Sequence, residues 1–374
     1  MYWEKKITCI LLLFDLTAAE SFHGSTGKRA VPAPNFVVNL DLPPAHRWDD
    51  VLKHFDRRAL IDSYNIIFKL FEDTEIWKIV EKLSDNIYEH IPKTYAEEIT
   101  GISKFLGVDA KMILLLNLVY DADAFGSSTG KACTSIVAMN TKGEIFHGRN
   151  LDFYPFVRNM TIDVEFQHNG KTLYEVTTVV GYVGVLTATK FGKFSLSADE
   201  RDYGGWQKNV QFASNGSMPT LLLARQVLEK ANDYENAISL LMTAATIAPI
   251  YFIVGGVETG NGAIVTRDRW GGINVTRMRD KTHNRWFIVE TNYDPWKSPP
   301  AKDDRRDAVI EYMNENGQEN INADTLYEVL STSPIFREIT VHTTIMSAQD
   351  KNVYRTMIRY DAPEKDDFLD DILL

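Results

Sequence analysis

The stretch GKACTSIVAMN, Gly130 to Asn140, joins a small polar segment, GSSTGKA, to an apolar run. At the junction stands Cys133, one of only two cysteines in 374 residues. Upstream of it the pattern is helical. ALIDSYNIIFKLF places Leu60, Ile61, Tyr64, Ile67, Phe68 and Phe71 on one helix face, and MILLLNLVY, Met112 to Tyr120, is apolar nearly all round, as suits a core or a lipid surface. VPAPNFVVNLDLPPAHRW, punctuated by proline, reads as extended. Downstream, TIDVEFQ, IYFIVGG, GAIVTRDR, NRWFIVETN and ITVHTTIM are short β-rich runs separated by Gly, Asn and Asp turns. Two helices interrupt them, one opening at a capping box of Asn232 with Glu235, the other near Thr325 to Leu330. The chain is therefore an α+β protein whose helical N-terminal third meets a strand-rich remainder at Cys133.

The second cysteine, Cys9, lies in MYWEKKITCILLLFDLTAAE, where Lys5 and Lys6 precede an apolar run from Ile7 to Phe14 and small residues follow. This pattern predicts a secretory signal peptide over residues 1–19, cut after Ala19, so that Cys9 departs with it. The run is too short to span a bilayer. A single thiol then remains, with no internal disulfide available to it, and an unpaired cysteine in a secreted protein is either a buried filler or a reactive group. Sequons at Asn159, Asn215 and Asn274 fit the same route and predict glycosylation.

The formal net charge of -11, with no basic stripe to offset it, argues against nucleic acid as a partner. Neither H-E-x-x-H nor any tight Cys/His cluster occurs, so no metal or other cofactor is expected. The acidic tail DAPEKDDFLDDILL reads as frayed.

A thiol nucleophile needs a base, and none of the eight histidines forms a local signature with Cys133. A cut between Ala132 and Cys133 would supply one on the same residue. The new α-amine would have a reference pKa of about 7.7–8, low enough to exchange protons at modest cost. No distant partner would be needed to position it.

CTSIVAMNTKGEIFHGRNLDF, Cys133 to Phe153, resembles the start of the β subunit in the acid ceramidase and N-acylethanolamine acid amidase family of N-terminal nucleophile hydrolases. The likeness continues through GYVGVLTATKFGKFSLSADER, PIYFIVGG, AIVTRDR, WFIVETNYDPW, DDRR and TLYEVLSTSP, and LDLPPAHRWDDVLKHFD resembles the amidase's N-terminal segment. The resemblance implies an αββα sandwich, a helical α subunit over residues 20–132 and a β subunit over residues 133–374, the two made by self-cleavage and kept as a heterodimer. It also implies a lysosomal location.

Carried over residue by residue, the resemblance makes Cys133 the nucleophile and its freed amine the base. Arg149 and Asp152 of HGRNLD line the site, Asn292 of ETNYDPW is the oxyanion donor, and Glu200 of ADER and Arg305 of DDRR complete a polar network. Read without it, Arg149 and Asp152 are a surface ion pair, Asn292 shapes a turn, Glu200 is a solvated charge and His147 is a satisfied strand histidine.

The implied reaction is hydrolysis of a fatty-acyl amide without a cofactor. DFYPFVRNMTIDVEF is short where acid ceramidases carry an extra stretch, and the cysteine pair that ties their N-terminal part to the C-terminus is absent here. Both departures favour fatty acid ethanolamides over ceramide. Such substrates reside in membranes, which makes an anionic vesicle surface an expected partner, met by the apolar helices Leu60 to Phe71 and Met112 to Tyr120. A non-catalytic lipid-binding protein and a papain-type cysteine protease are the competing readings; the first would remain uncut in acid, and the second would depend on a histidine.

Overall fold

A computed structural model describes residues 29–71, 75–123, 133–279, 284–300 and 303–363. The expected signal peptide, Ala132 with the cleavage junction, and the far C-terminal tail lie outside them.

Two short strands, β1 (Val31–Pro32) and β2 (Asn35–Asn39), open the described chain. Helices α1 (Asp49–Leu52), α2 (Arg57–Phe71), α3 (Glu75–His90), α4 (Lys93–Leu106), α5 (Ala110–Asn117) and α6 (Val119–Asp123) follow. After Cys133 come β3 (Cys133–Met139), β4 (Ile145–Asp152), β5 (Thr161–His168), β6 (Lys171–Val179), β7 (Thr187–Lys190) and β8 (Phe194–Glu200). Helices α7 (Trp206–Ser214), α8 (Thr220–Lys230) and α9 (Tyr234–Thr243) separate these from β9 (Ile250–Gly255), β10 (Gly262–Asp268), β11 (Gly271–Arg277) and β12 (Phe287–Glu290). The chain ends with α10 (Arg305–Asn316), α11 (Ala323–Leu330), β13 (Thr340–Met346) and β14 (Arg355–Ile358).

The strands form two sheets, ordered β1-β14-β13-β4-β3-β12 and β11-β10-β9-β8-β7-β6-β5-β2. Helices α10 and α11 cover the outer face of the first, where Ile136, Ala138 and Phe146 meet Val309, Met313, Leu326 and Leu330. The remaining helices cover the second, where Val164, Phe166, Val176 and Leu196 meet Leu60, Tyr64, Ile99, Ile113, Leu221 and Leu241. Each fully buried Leu, Ile or Phe contributes about 1.5–3 kcal/mol. Between the sheets the packing is apolar only toward β12, where Val137, Met139, Tyr251, Ile253, Ile264, Met278 and Ile288 cluster. The result is the expected αββα sandwich.

Local chemistry sets these elements. Both faces of β3 are covered and every residue of it is buried, which is why its sequence runs apolar and small without a solvent side. In β4, a Cβ at Gly148 would come within 2.8 Å of the side chains of Leu326 and Leu330, so the glycine of HGRN lets α11 lie against the sheet. Helix α11 is capped by Asn322, whose side chain accepts from the amides of Asp324 and Thr325.

Three expectations are corrected. The cap of α9 is Asp233, accepting from the amide of Asn236, rather than Asn232; Glu235 instead pairs with Arg277 at 2.7 Å. The stretch VPAPNFVVN, read as extended, goes further and joins both sheets, β1 pairing with β14 and β2 lying parallel to β5, so the segment before Cys133 supplies strands as well as helices. Finally, the apolar stretches offered to lipid are core: Leu60, Tyr64, Ile67, Ile113, Leu114, Leu115, Leu116, Leu118 and Val119 are all buried.

Candidate active site

Cys133 opens β3 and faces the second sheet, as do Ser135 and Val137, because side chains on one strand face alternate. Its cross-strand partner is Leu151, and Ser135 lies opposite Arg149, so the pairing of β3 with β4 brings the cysteine, Arg149 and Asp152 to one strand end. Arg149 is 0% exposed. Its Nη2 lies 3.1 Å from the Cys133 sulfur and 3.1 Å from the Ala198 carbonyl, while Nη1 donates to Thr187 Oγ1 at 2.5 Å and to the Leu186 carbonyl at 3.3 Å. Burial pushes the Cys133 thiol up to about 12, opposed chiefly by Arg149. The surface ion-pair reading of Arg149 and Asp152 is thereby excluded.

The cysteine's backbone is gripped as well. Its amide donates to Asn292 Oδ1 at 2.6 Å, and Asn292 Nδ2 donates to the Glu200 carbonyl at 2.9 Å. These two partners fix the orientation of the side-chain amide, since a backbone N–H only donates and a carbonyl only accepts. Asn292 sits at φ 75°, a conformation Asn tolerates better than other side-chain-bearing residues. In this arrangement Asn292 anchors the nitrogen that would become the free amine, and the Glu200 carbonyl takes one of its two Nδ2 hydrogens, leaving the other able to donate to an oxyanion. Arg305 reaches the other side: Nη1 donates to the Cys133 carbonyl at 2.7 Å and Nη2 to the Thr291 carbonyl at 2.9 Å, with Asp303 as its counter-ion at 2.6 Å.

Asp152 accepts from Thr340 Oγ1 at 2.7 Å through Oδ1, and its Oδ2 is buried without a hydrogen-bond partner. Burial pushes its carboxyl above the usual carboxylate range and so disfavours ionisation, against the pull of Arg337 and Arg305. An unpaired carboxylate oxygen beside the nucleophile is available to an incoming amine. Glu200 ends β8 and contributes its carbonyl to Asn292. All six expected site residues thus belong to one neighbourhood. Arg149, Asn292 and Arg305 bond directly to Cys133, while Asp152 and Glu200 reach it through its neighbours.

Asp199 was not among the expected residues, although it is 0% exposed with Oδ1 3.9 Å from Arg149 Nη2. Ser135 Oγ donates to it at 2.9 Å and accepts from Ser197 at 2.8 Å; Ser197 in turn meets His147 Nε2 at 2.9 Å. His147 is the satisfied strand histidine the sequence suggested, held also by Ser195 at 2.9 Å. Among the described residues no group of three or more His, Cys, Asp or Glu is placed to hold a metal. The three sequon asparagines, Asn159, Asn215 and Asn274, are exposed.

A family model described as the beta subunit of N-acylethanolamine-hydrolyzing acid amidase matches residues 31–91, on the N-terminal segment. One described as linear amide C-N hydrolases, choloylglycine hydrolase family, matches residues 133–310 and begins on Cys133. The chain is 41% identical to the N-acylethanolamine-hydrolyzing acid amidase of Cavia porcellus over 88% of its own length and 91% of that protein. It is 34% identical to the acid ceramidase of Homo sapiens over 91% of this chain and 89% of that one. A solved structure of the Caenorhabditis elegans N-acylethanolamine-hydrolyzing acid amidase ortholog superposes with a TM-score of 0.54 at 37% identity, covering 59% of this chain and 95% of that one. The chain belongs to the N-acylethanolamine acid amidase and acid ceramidase family of N-terminal nucleophile hydrolases, enzymes acting on linear amides, and stands closer to the amidase branch.

Proposed function

We propose that this enzyme hydrolyses fatty acid ethanolamides to fatty acid and ethanolamine after cutting its own chain between Ala132 and Cys133, and that it works in the lysosome. The observation that carries the reading is the double grip on Cys133: Arg149 on its sulfur and Asn292 on its nitrogen. A cysteine serving only as core filler needs neither. In the hydrolysis, the sulfur attacks the amide carbonyl carbon, the C–N bond breaks, and the departing ethanolamine takes a proton from the Cys133 ammonium group. Water then attacks the thioester, returning the thiol and releasing the fatty acid. Asn292 positions the amine through Oδ1 and donates its remaining Nδ2 hydrogen to the oxyanion, the Asp152 carboxylate accepts from the amine, and Arg149 holds the sulfur as it carries negative charge.

Greater similarity to the amidases than to the ceramidases, together with the short DFYPF segment, supports the ethanolamide over ceramide. The reading includes contact with an anionic vesicle surface, where protonation of carboxylates in acid lessens the repulsion set up by a net charge of -11. It also keeps the two fragments together as a pair. N-terminal sequencing and amide hydrolysis after acid incubation test it, with wild type beside Cys133→Ala. A new terminus at Cys133 and release of ethanolamine, both lost in the variant, are expected. Full hydrolysis by an uncut chain would overturn it.

A further inference from the structure

The site holds one more buried acid than the reaction uses. Arg149 Nη2 faces two groups able to carry negative charge: the Cys133 sulfur at 3.1 Å and Asp199 Oδ1 at 3.9 Å. All three are buried. One guanidinium cannot neutralise both anions away from water, so ionising one raises the cost of ionising the other.

We propose that Asp199 is a positioning residue that competes with the Cys133 sulfur for Arg149, so that protonation of Asp199 in acid releases the guanidinium to stabilise the thiolate. The proposal rests on Cys133 being the nucleophile and adds the group that makes its reactivity depend on acid.

The α-amine freed on Cys133 is common to every protein compared and titrates above the Asp199 carboxyl, and the other surrounding charges leave this competition to Arg149. Arg305 faces Cys133, Asp152 and Asp199, but Asp303 binds it through two oxygens, at 2.7 and 2.6 Å. Burial holds His147 down to about 3 and His342 well below its ordinary range, so neither supplies positive charge. Glu290, also facing Asp199, is pushed well up by burial against the pull of Arg306. Asp152 is held down more by Arg337 and Arg305 than by Arg149. Asp199 faces Arg149 only at 3.9 Å, without a hydrogen bond between them, and among the described residues Arg149 Nε and Asp199 Oδ2 are both buried without hydrogen-bond partners. Burial pushes Asp199 up to about 6, opposed first by Arg149, which sets the exchange between acid and neutral conditions. Among the described residues the only hydrogen bond to the carboxylate comes from Ser135, and that bond favours the ionised form.

The test measures two profiles from about pH 4 to about pH 8 on acid-incubated full chain: kcat/KM for amide hydrolysis, and the rate of Cys133 alkylation by iodoacetamide read by peptide mass mapping. Wild type is compared with Asp199→Asn, which keeps the shape and the acceptor for Ser135, and with Ser135→Ala. In wild type the alkylation profile should show an inflection near the Asp199 ionisation, where rising pH stops adding reactivity. In Asp199→Asn the inflection disappears, alkylation at neutral pH rises about 10-fold, the equivalent of one pKa unit, and the alkaline limb of kcat/KM moves up by a similar amount. Ser135→Ala, which removes a bond favouring the Asp199 anion, moves the inflection to higher pH without abolishing it. A wild-type alkylation profile with no inflection overturns the proposal even if neither variant folds, as does an unshifted profile in a folded variant. Failure of the functional reading looks different: Cys133→Ser would retain hydrolysis while the alkylation profiles still responded to Asp199.

Discussion

Arg149 and Arg225 are both 0% exposed, yet they are treated in opposite ways. Arg225, in the helical layer, binds Glu98 through two nitrogens at 2.6 and 2.7 Å and Glu229 at 3.1 Å. Its guanidinium lies 4.6 Å from the ring of Tyr95 and 4.9 Å from that of Phe166. Glu98 is completed by Arg47 and Trp48, each at 2.9 Å. Around Arg149, by contrast, Arg149 Nε, Asp199 Oδ2 and Asp152 Oδ2 have no hydrogen-bond partner. A buried polar cluster with every atom matched fixes a structure. One left short of partners beside a nucleophile keeps capacity for charge that appears during a reaction.

The sharpest way to break that contrast is at the sulfur. Cys133→Ala is expected to lower hydrolysis by at least about 1000-fold while leaving the melting temperature nearly unchanged, because the lost atom serves chemistry more than packing. Steady-state rates and calorimetry on the same sample check it. Asn292→Ala should come next, with a loss of about 100- to 1000-fold in kcat if the anchored nitrogen must be held for attack.

At the matched cluster the expected effect is on stability. Glu98→Ala removes the bidentate partner of the buried Arg225, leaving it the partly exposed Glu229, and should cost about 3–5 kcal/mol in urea denaturation, with activity per folded molecule retained. Comparable loss of activity per folded molecule would erase the distinction between the two clusters.

The two kinds of buried acid also differ in sign with pH. Burial raises Asp121 and Asp163 to about 7 and Glu175 to about 8, so they hold their protons in the folded state. Their contribution is complete below the ordinary carboxyl value and is lost as pH rises through about 7 to 8. Glu98 is lowered even though burial, its largest influence, works to raise it, because Arg225, Trp48 and Arg47 together outweigh that term. Its contribution is present above its ordinary value and is lost as pH falls through the lowered one. The urea midpoint should therefore fall between mildly acidic and mildly alkaline pH, and Asp163→Asn should flatten that fall. The smallest effect belongs to Asn274→Gln, at an exposed sequon, expected within about 0.5 kcal/mol of wild type.

Much of this was legible in the sequence because the signals were local. Arg149 and Asp152 share one short stretch of β4, Asn292 follows β12 and Arg305 opens α10, and it was the resemblance of these short motifs to a known family, rather than their spacing, that marked them with Cys133 as a site. Asp199 was not legible, for a specific reason. In FSLSADE, Phe194, Leu196 and Ala198 alternate with Ser195, Ser197 and Asp199, the pattern of a strand with one wet face. Here that polar face lies against the other sheet, and no local pattern distinguishes a second sheet from water. The N-terminal strands were missed as sheet members for a related cause: β1 has two residues, and both strands depend on partners more than a hundred positions away in sequence.

Those two strands have a further consequence. Because β1 rides the free edge of one sheet and β2 the free edge of the other, severing the chain ahead of Cys133 makes a terminus without setting a piece adrift. An upstream fragment made by such a cut would remain riveted to both halves of the sandwich, and peeling it away would lay bare two raw edges. Shedding of that fragment and collapse of the enzyme should therefore coincide in a single melting event.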